Sequence, residues 1–227
     1  MRSHELLFED AHIIAANKQA PISTQVHESG SLAQRIREEH EMGDKLSLYG
    51  VHRLDIPVTG VVVYARTREA AASMGTFFSN GTVRKRYWAA VSASPGTTEG
   101  SLEHYILHDR RMNKAICSDS FREGSRFCRT GYRIFGRSER YWFLELEPET
   151  GRTHQLRAQL AATGCPIKGD QKYGARRGNR NRLIHLHAFS LAFPHPAGGT
   201  PVQIVAEPPD DPVWTAAIEA YRRFSDQ

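Results

Sequence analysis

Between Val51 and Ala65 the chain changes character twice. A polar run, His52-Arg53-Leu54-Asp55, passes through Ile56-Pro57-Val58-Thr59 into Gly60-Val61-Val62-Val63-Tyr64-Ala65. An apolar run this short and this rich in β-branched residues fits a strand buried on both faces. Such a strand obliges the chain to build a sheet around it and to cover that sheet. It also delivers one carboxylate, Asp55, beside the strand. By default an Asp in that place is a turn cap or a surface charge; a chemical role needs support from the rest of the chain.

The flanking pattern supplies the sheet. His12 to Lys18 reads as a short buried strand followed by the loop Gln19-Ala20-Pro21. Ser31-Leu32-Ala33-Gln34 is a capping-box pattern that opens a helix to about His40, with Leu32 and Ile36 facing inward. After Gly60 to Ala65 come a helix over Arg68 to Ser79 and an apolar strand over Arg86 to Ser92, a strand, helix, strand unit. Beyond Pro95-Gly96 the alternation predicts antiparallel strands over Leu102 to Leu107, Arg129 to Phe135 and Tyr141 to Glu147. Thr153 to Ala162 is predicted helical, stopped by Gly164 and Pro166. Leu186 to Phe193 and Val202 to Ala206 are further strands, and Asp211-Pro212 caps a last helix to about Phe224. No linker, repeat or low-complexity tract intervenes, so the expectation is one α+β domain over residues 1–227.

Charge narrows the partner. Arg110 to Arg182 holds 17 basic against 7 acidic residues, a net of +10, whereas the remainder carries −5. A concentrated positive field suits a polyanion such as RNA or DNA; it also suits an ordinary soluble basic surface. Cys117, Cys128 and Cys165 are odd in number and form no C-x-x-C pair, which argues against a disulfide framework or a thiolate zinc site and fits a reducing cytosol. Arg2, Glu5, Glu9 and Asp10 interrupt the first ten positions and no run approaches membrane-spanning length, so the expectation is a cytoplasmic protein without membrane contact. His185-Leu186-His187, with His154 upstream, invites a metal reading. No H-E-x-x-H or cysteine-containing spacing accompanies it.

Several segments in order then resemble one family, the RluA-type pseudouridine synthases. They are Leu7-Phe8-Glu9-Asp10 with His12 to Lys18; His52-Arg53-Leu54-Asp55 with Thr59-Gly60; Lys85-Arg86-Tyr87-Trp88-Ala89; and Thr150-Gly151-Arg152-Thr153-His154-Gln155-Leu156-Arg157. Pro166-Ile167-Lys168-Gly169-Asp170 with Tyr173-Gly174, and Leu186-His187-Ala188 with Phe193-Pro194-His195-Pro196, complete the likeness. The resemblance implies a pseudouridine synthase fold: a mixed, largely antiparallel sheet with flanking helices and a central RNA-binding cleft. It implies isomerisation of selected uridines in ribosomal or transfer RNA by base flipping, without metal or organic cofactor. The family's common N-terminal S4-like domain finds no room before Leu6, and a monomer is expected.

The same resemblance assigns roles. Asp55 becomes the catalytic carboxylate, as nucleophile at the anomeric carbon or base at the ribose. Arg157 becomes its ionic partner, and on a helix it sits beside the Leu156 and Leu160 stripe, able to reach inward from the edge of the buried face. Tyr87 becomes the ring that stacks on uracil, with Trp88 turned into the core. Arg53 is placed next to RNA as a filler of the flipped base's gap, sharing a face with Asp55 if the strand continues. Arg152 is expected to help place phosphate or its own loop. The tract holding Arg176, Arg177, Arg180 and Arg182 is expected to hold phosphates, or to be a flexible polar loop, or both.

Two departures from the family pattern, Val58-Thr59-Gly60 for Thr-Ser-Gly and Asn17-Lys18-Gln19-Ala20-Pro21 for Asn-Lys-Pro-Ala-Gly, touch loop geometry and target preference. Two rival functions remain open at this stage: a non-catalytic RNA-binding or ribosome-assembly protein on the same fold, and a base glycosylase that releases free uracil.

Overall fold

The computed structural model describes residues 4–19, 21–39 and 47–225. The chain clusters into two compact units, Met1–Lys85 with His187–Pro209, and Arg86–Leu186 with Asp210–Gln227. The architecture is α+β with a largely antiparallel set of strands.

In the first unit β1 (His4–Glu9) pairs antiparallel with β2 (Ile13–Lys18), and β2 pairs antiparallel with β4 (Thr59–Ala65). The two-residue β3 (Tyr49–Gly50) lies on β4 opposite Ala65 and Tyr64. On its other side β4 runs parallel to β10 (Leu186–Pro194), which forms a hairpin with β11 (Pro201–Val205). Every residue of β2 and β4 is buried, which is why both read as apolar runs without alternation. Ile13, Ala15, Val61, Val63, Leu191 and Phe193 share one core with Met74 of α2 (Arg68–Ser79). Thr67 caps that helix by accepting from Ala70 N. At α1 (Leu32–Glu39) Ser31 Oγ accepts from Gln34 N, and Gln34 Oε1 reaches back to Gly30 N, one residue short of the reciprocal capping box. The expected end of α1 at His40, and Ala20 of the preceding loop, lie outside the described residues.

In the second unit β5 (Arg84–Val91), β9 (Trp142–Pro148), β8 (Arg126–Arg137), β6 (Glu99–Asp109) and β7 (Lys114–Ser118) pair antiparallel in that order. α4 (Pro212–Ser225) starts where expected, with Asp211 accepting from Val213 N, and sends Tyr221 onto Trp88 and Phe135. Trp88 is core, as its place on the strand suggested.

Three readings need correction. β1 and β7 carry no clean alternation and were not anticipated as strands. The strand leading to Asp55 stops at Gly50, so residues 51–55 are irregular and Arg53 and Asp55 do not share a strand face. α3 (Gln155–Ala162) buries its first six residues, Arg157 included, so that arginine is an interior residue and not one at the edge of an apolar stripe.

Gly60 sits where a residue with a side chain would not fit. Its φ is +112°, and an added Cβ would lie 2.3 Å from the Ala188 carbonyl oxygen, against the backbone with which β4 pairs. Gly60→Ala should therefore break the β4–β10 ladder and cost about 3 to 5 kcal/mol. Denaturant melts check this; a loss below about 1 kcal/mol would mean the ladder tolerates displacement.

Candidate active site

The segment carrying Asp55 has left the sheet, and its backbone groups still need partners. Side chains supply them. His52 Nε2 accepts from Val63 N at 2.9 Å, filling the ladder position that β3 vacates, and its ring stacks on Phe78. Burial, with Lys85 nearby, holds His52 down to about 4, so the imidazole is neutral at physiological pH and free to accept. Thr24 Oγ1 contacts both the amide and the carbonyl of Leu54, and Thr24 O accepts from the Tyr64 hydroxyl. Asp55 O closes a turn with Val58 N at 3.0 Å. Asp55 itself is half-buried, between buried Leu54 and exposed Ile56; Arg53 is exposed.

Under this turn sits Lys18, fully buried at the end of β2. Its Nζ donates to Ile22 O and to Ile56 O, both at 3.1 Å, tying the residue after Asp55 to the sheet. Burial lowers its pKa to about 7, while the Asp55 charge acts the other way. Lys18 entered the sequence reading only as the last residue of a buried strand and of a family segment, with no role of its own. Its signal was a lysine ending a run that otherwise had to be buried.

At the entry to β4 the departure from the family pattern gives up one hydroxyl to a buried apolar side chain and keeps the other. Val58 is buried, and Thr59 Oγ1 meets His187 Nδ1 at 2.8 Å. His187 Nε2 donates to Ala206 O at 2.9 Å, and burial holds the ring down to about 4. This histidine is therefore committed through both nitrogens to structure.

The second unit holds Tyr87, Arg152, Arg157 and the arginine tract. Tyr87 is half-buried on β5 opposite Leu146 of β9. Arg157 is gripped by a residue to which the sequence reading gave no role: its Nε donates to Asp170 Oδ2 at 2.7 Å and its Nη2 to Asp170 Oδ1 at 2.8 Å. The guanidinium also lies 4.9 Å from the Tyr173 ring centroid. The Tyr173 hydroxyl accepts from Ala115 N at 2.7 Å and pairs with His154 Nδ1 at 2.9 Å. Asp170 is 1 % exposed and Arg157 5 %, so the pair is a desolvated, bidentate clamp that fixes the guanidinium plane.

Two buried glutamines place the start of α3. Gln155 Oε1 accepts from Thr150 Oγ1 and Arg152 N, while its Nε2 donates to Arg129 O and Thr130 Oγ1. Gln159 accepts from Thr130 Oγ1 and donates to Leu102 O. His154 enters the helix at φ +54°, a left-handed conformation that its contact with Tyr173 helps to hold. The Arg152 side chain projects into solvent.

Basic residues in this unit fall into two sets. An open depression of about 580 Å³ contains Arg86, Arg129 and Arg133 together with Glu145, Glu147 and Glu149. There Arg86 pairs with Glu147 at 3.0 Å, Arg133 with Glu145 at 2.7 Å, and Arg129 with Glu149 at 3.4 Å, so its positive charge is internally spent. Arg86 and Tyr87 are successive strand residues and point to opposite faces, which sets the depression apart from the tyrosine. Arg176, Arg177, Arg180 and Arg182 are all exposed, and none is ion-paired among the described residues. They are the charges available to an external anion.

The family model for RNA pseudouridylate synthase matches residues 12–162, about two thirds of the chain. An uncharacterised RNA pseudouridine synthase of Bacillus subtilis, YhcT, is 34% identical over 212 residues, covering 90% of this chain and 68% of that protein. Ribosomal large subunit pseudouridine synthase D of Xylella fastidiosa is 32% identical, covering 91% of this chain and 66% of its own length. The tRNA pseudouridine synthase C of Salmonella typhimurium is 29% identical, covering 96% and 89%. Among solved structures, human RNA pseudouridylate synthase domain containing 4 superposes with a TM-score of 0.77 at 24% identity, covering 96% of this chain and 92% of that one. The chain belongs to the RNA pseudouridine synthase family, isomerases of RNA uridine.

Lys18 gives a pH signature. Between pH 7 and 10.5 the unfolded chain holds a proton on this amine that the folded chain has released, so folding becomes more favourable as pH rises through that window. The penalty for burying the charge is complete below this window and gone above it. Lys18→Met should remove up to one proton's worth of this slope, about 1.4 kcal/mol per pH unit. Stability measured from about pH 7.5 to 9.5 checks it; parallel curves for the two proteins would contradict the assignment.

Asp170→Asn keeps the shape but removes the charge of the carboxylate that clamps the desolvated Arg157 guanidinium. The expected loss is about 3 to 5 kcal/mol in denaturant melts. A change under about 1 kcal/mol would mean that Asp170 is dispensable as the counter-ion.

Proposed function

We propose that this chain converts specific uridines of a structured RNA, a ribosomal or transfer RNA stem-loop, to pseudouridine, with Asp55 as the catalytic carboxylate. Arg157 serves as its ionic partner and Tyr87 stacks on the target base, in a single catalytic domain over residues 1–227. The observation that carries the reading is the fixing of the Asp55 turn by His52, Thr24 and Lys18. A surface aspartate needs no buried lysine to hold the carbonyl beside it. A carboxylate that must meet one ribose carbon does.

The chemistry balances without redox change or cofactor. The bond from N1 of uracil to C1′ of ribose breaks, with Asp55 acting at C1′ as nucleophile or at the ribose as base. The detached uracil turns while held against Tyr87, and C5 joins C1′, displacing the Asp55 carboxylate from C1′ in the first route or followed by return of the ribose proton from Asp55 in the second. C5 then gives up its hydrogen, with the Tyr87 hydroxyl placed to assist, and N1 regains a proton. The base must first leave the stack, and Arg53, exposed beside Asp55, is suited to fill the gap. Arg152 and the four arginines of residues 176–182 are the phosphate contacts in this reading. The RNA class follows the two named relatives, one acting on large-subunit ribosomal RNA and one on transfer RNA. Action in the cytoplasm as a monomer completes the proposal.

The test uses RNA tritiated at uridine C5 and reads tritium released to water. Asp55→Asn should bind RNA with wild-type affinity while turnover falls by about 10⁴-fold or more. Appreciable turnover by a clean preparation of that variant would remove Asp55 from the chemistry. Tritium emerging in free uracil would indicate a glycosylase, and no turnover of transfer or ribosomal RNA by the unaltered protein would favour a binding role.

A further inference from the structure

The arginine tract is built rather than loose. At its centre Asn179 turns inward, half-buried, while Arg176, Arg177, Arg180 and Arg182 point out. Asn179 Oδ1 accepts from Lys168 Nζ at 2.8 Å. Its Nδ2 donates to Leu183 O at 2.6 Å and lies 3.2 Å from His185 Nδ1. Its carbonyl closes a turn with Arg182 N at 3.0 Å, and Arg182 itself takes a left-handed φ of +58°.

The anchors are themselves fixed. His185 donates through Nε2 to Asp211 Oδ1 at 2.9 Å and stacks on Trp214, leaving Nδ1 as an acceptor facing the amide. Lys168 lies 5.7 Å from the Tyr141 ring centroid, and its backbone carbonyl accepts from His185 N. Space for the amide exists because residue 169 is glycine at φ +88°. A Cβ there would lie 2.2 Å from Asn179 Nδ2 and 2.8 Å from Leu183 O. A loop that needed only to be polar would require neither this vacancy nor a half-buried lysine.

We propose that Asn179 is a positioning residue for RNA: by tying the middle of the loop to Lys168, Leu183 and His185, it holds the four exposed arginines in one arrangement ready for the phosphates of a folded RNA. This rests on the reading above that the tract contacts RNA. A preorganised loop contributes affinity by removing an ordering cost, whereas the arginines contribute through counter-ion release. The two contributions separate experimentally, since the first shifts affinity at every salt concentration and the second sets the salt slope.

Three proteins are compared with the wild type: Asn179→Ala, Lys168→Met as an independent removal of the same anchor, and a variant with all four arginines changed to alanine. Labelled bulk transfer RNA is titrated at several salt concentrations. Trypsin cleavage after residues 176–182 is followed without RNA, and melting is recorded for each. Asn179→Ala and Lys168→Met are expected to melt cooperatively and to be cut in the loop at least about tenfold faster. Both should bind RNA about tenfold more weakly at every salt concentration, with the wild-type salt slope. The arginine variant should flatten the slope. Wild-type cleavage and affinity in both anchor variants, with a flattened slope in the arginine variant, would overturn the inference and leave RNA contact by the tract standing. An arginine variant with unchanged affinity and slope would overturn both.

Discussion

A backbone that leaves a sheet inside a protein must still find hydrogen-bond partners, and that requirement shapes the first unit. From Val51 to Val58 no ladder is available, so His52, Thr24 and Lys18 replace it. Each is an expensive choice. The imidazole has to stay neutral to accept from Val63, and the lysine has to be buried beneath Ile56 at the cost of much of its proton affinity. What these costs obtain is a turn whose position does not depend on solvent. Asp55 stands on that turn, at the point where a half-buried carboxylate meets the surface.

The second unit applies the same economy to a cation. Arg157 lies on a helix buried along most of its length, and the Asp170 carboxylate and the Tyr173 ring hold its guanidinium in one plane. Asp170 and Tyr173 bracket a short turn whose backbone is closed by Tyr173 N to Asp170 O. The chain continues from that turn directly into the arginine tract. The element that orients Arg157 is thus continuous with the one that presents charge to the exterior.

How much of this was legible follows from how local each signal is. β2, β4 and α2 were readable because uniform burial writes an apolar run and a capped helix writes its own boundaries. The Asp211 cap of α4 was readable for the same reason. β1 and β7 were not, because strands of this kind take their stability from a neighbour and carry mixed residues. At α3 the periodic stripe misled: Gln155 and Gln159 are polar yet buried, satisfied by Thr130, Leu102 and the Thr150 loop, partners that come from other parts of the chain. For the site, Asp55, Tyr87 and Arg157 were named through family resemblance, while Lys18, Asp170 and Asn179 acquire roles only from contacts across the fold. No spacing rule distinguishes a lysine under a turn from one in solvent.

The central claim is that the chain moves uracil from one attachment to another with no net release, the proton lost at C5 being balanced by one gained at N1. The direct measurement is nucleoside analysis of transfer RNA and large-subunit ribosomal RNA, made as unmodified transcripts, before and after incubation with the purified protein. The account expects pseudouridine to appear in an amount equal to the uridine lost, at one or a few positions, with RNA mass unchanged and no free uracil. Loss of uridine accompanied by free uracil and abasic sites, or RNA that is bound and recovered with every uridine intact, would contradict it.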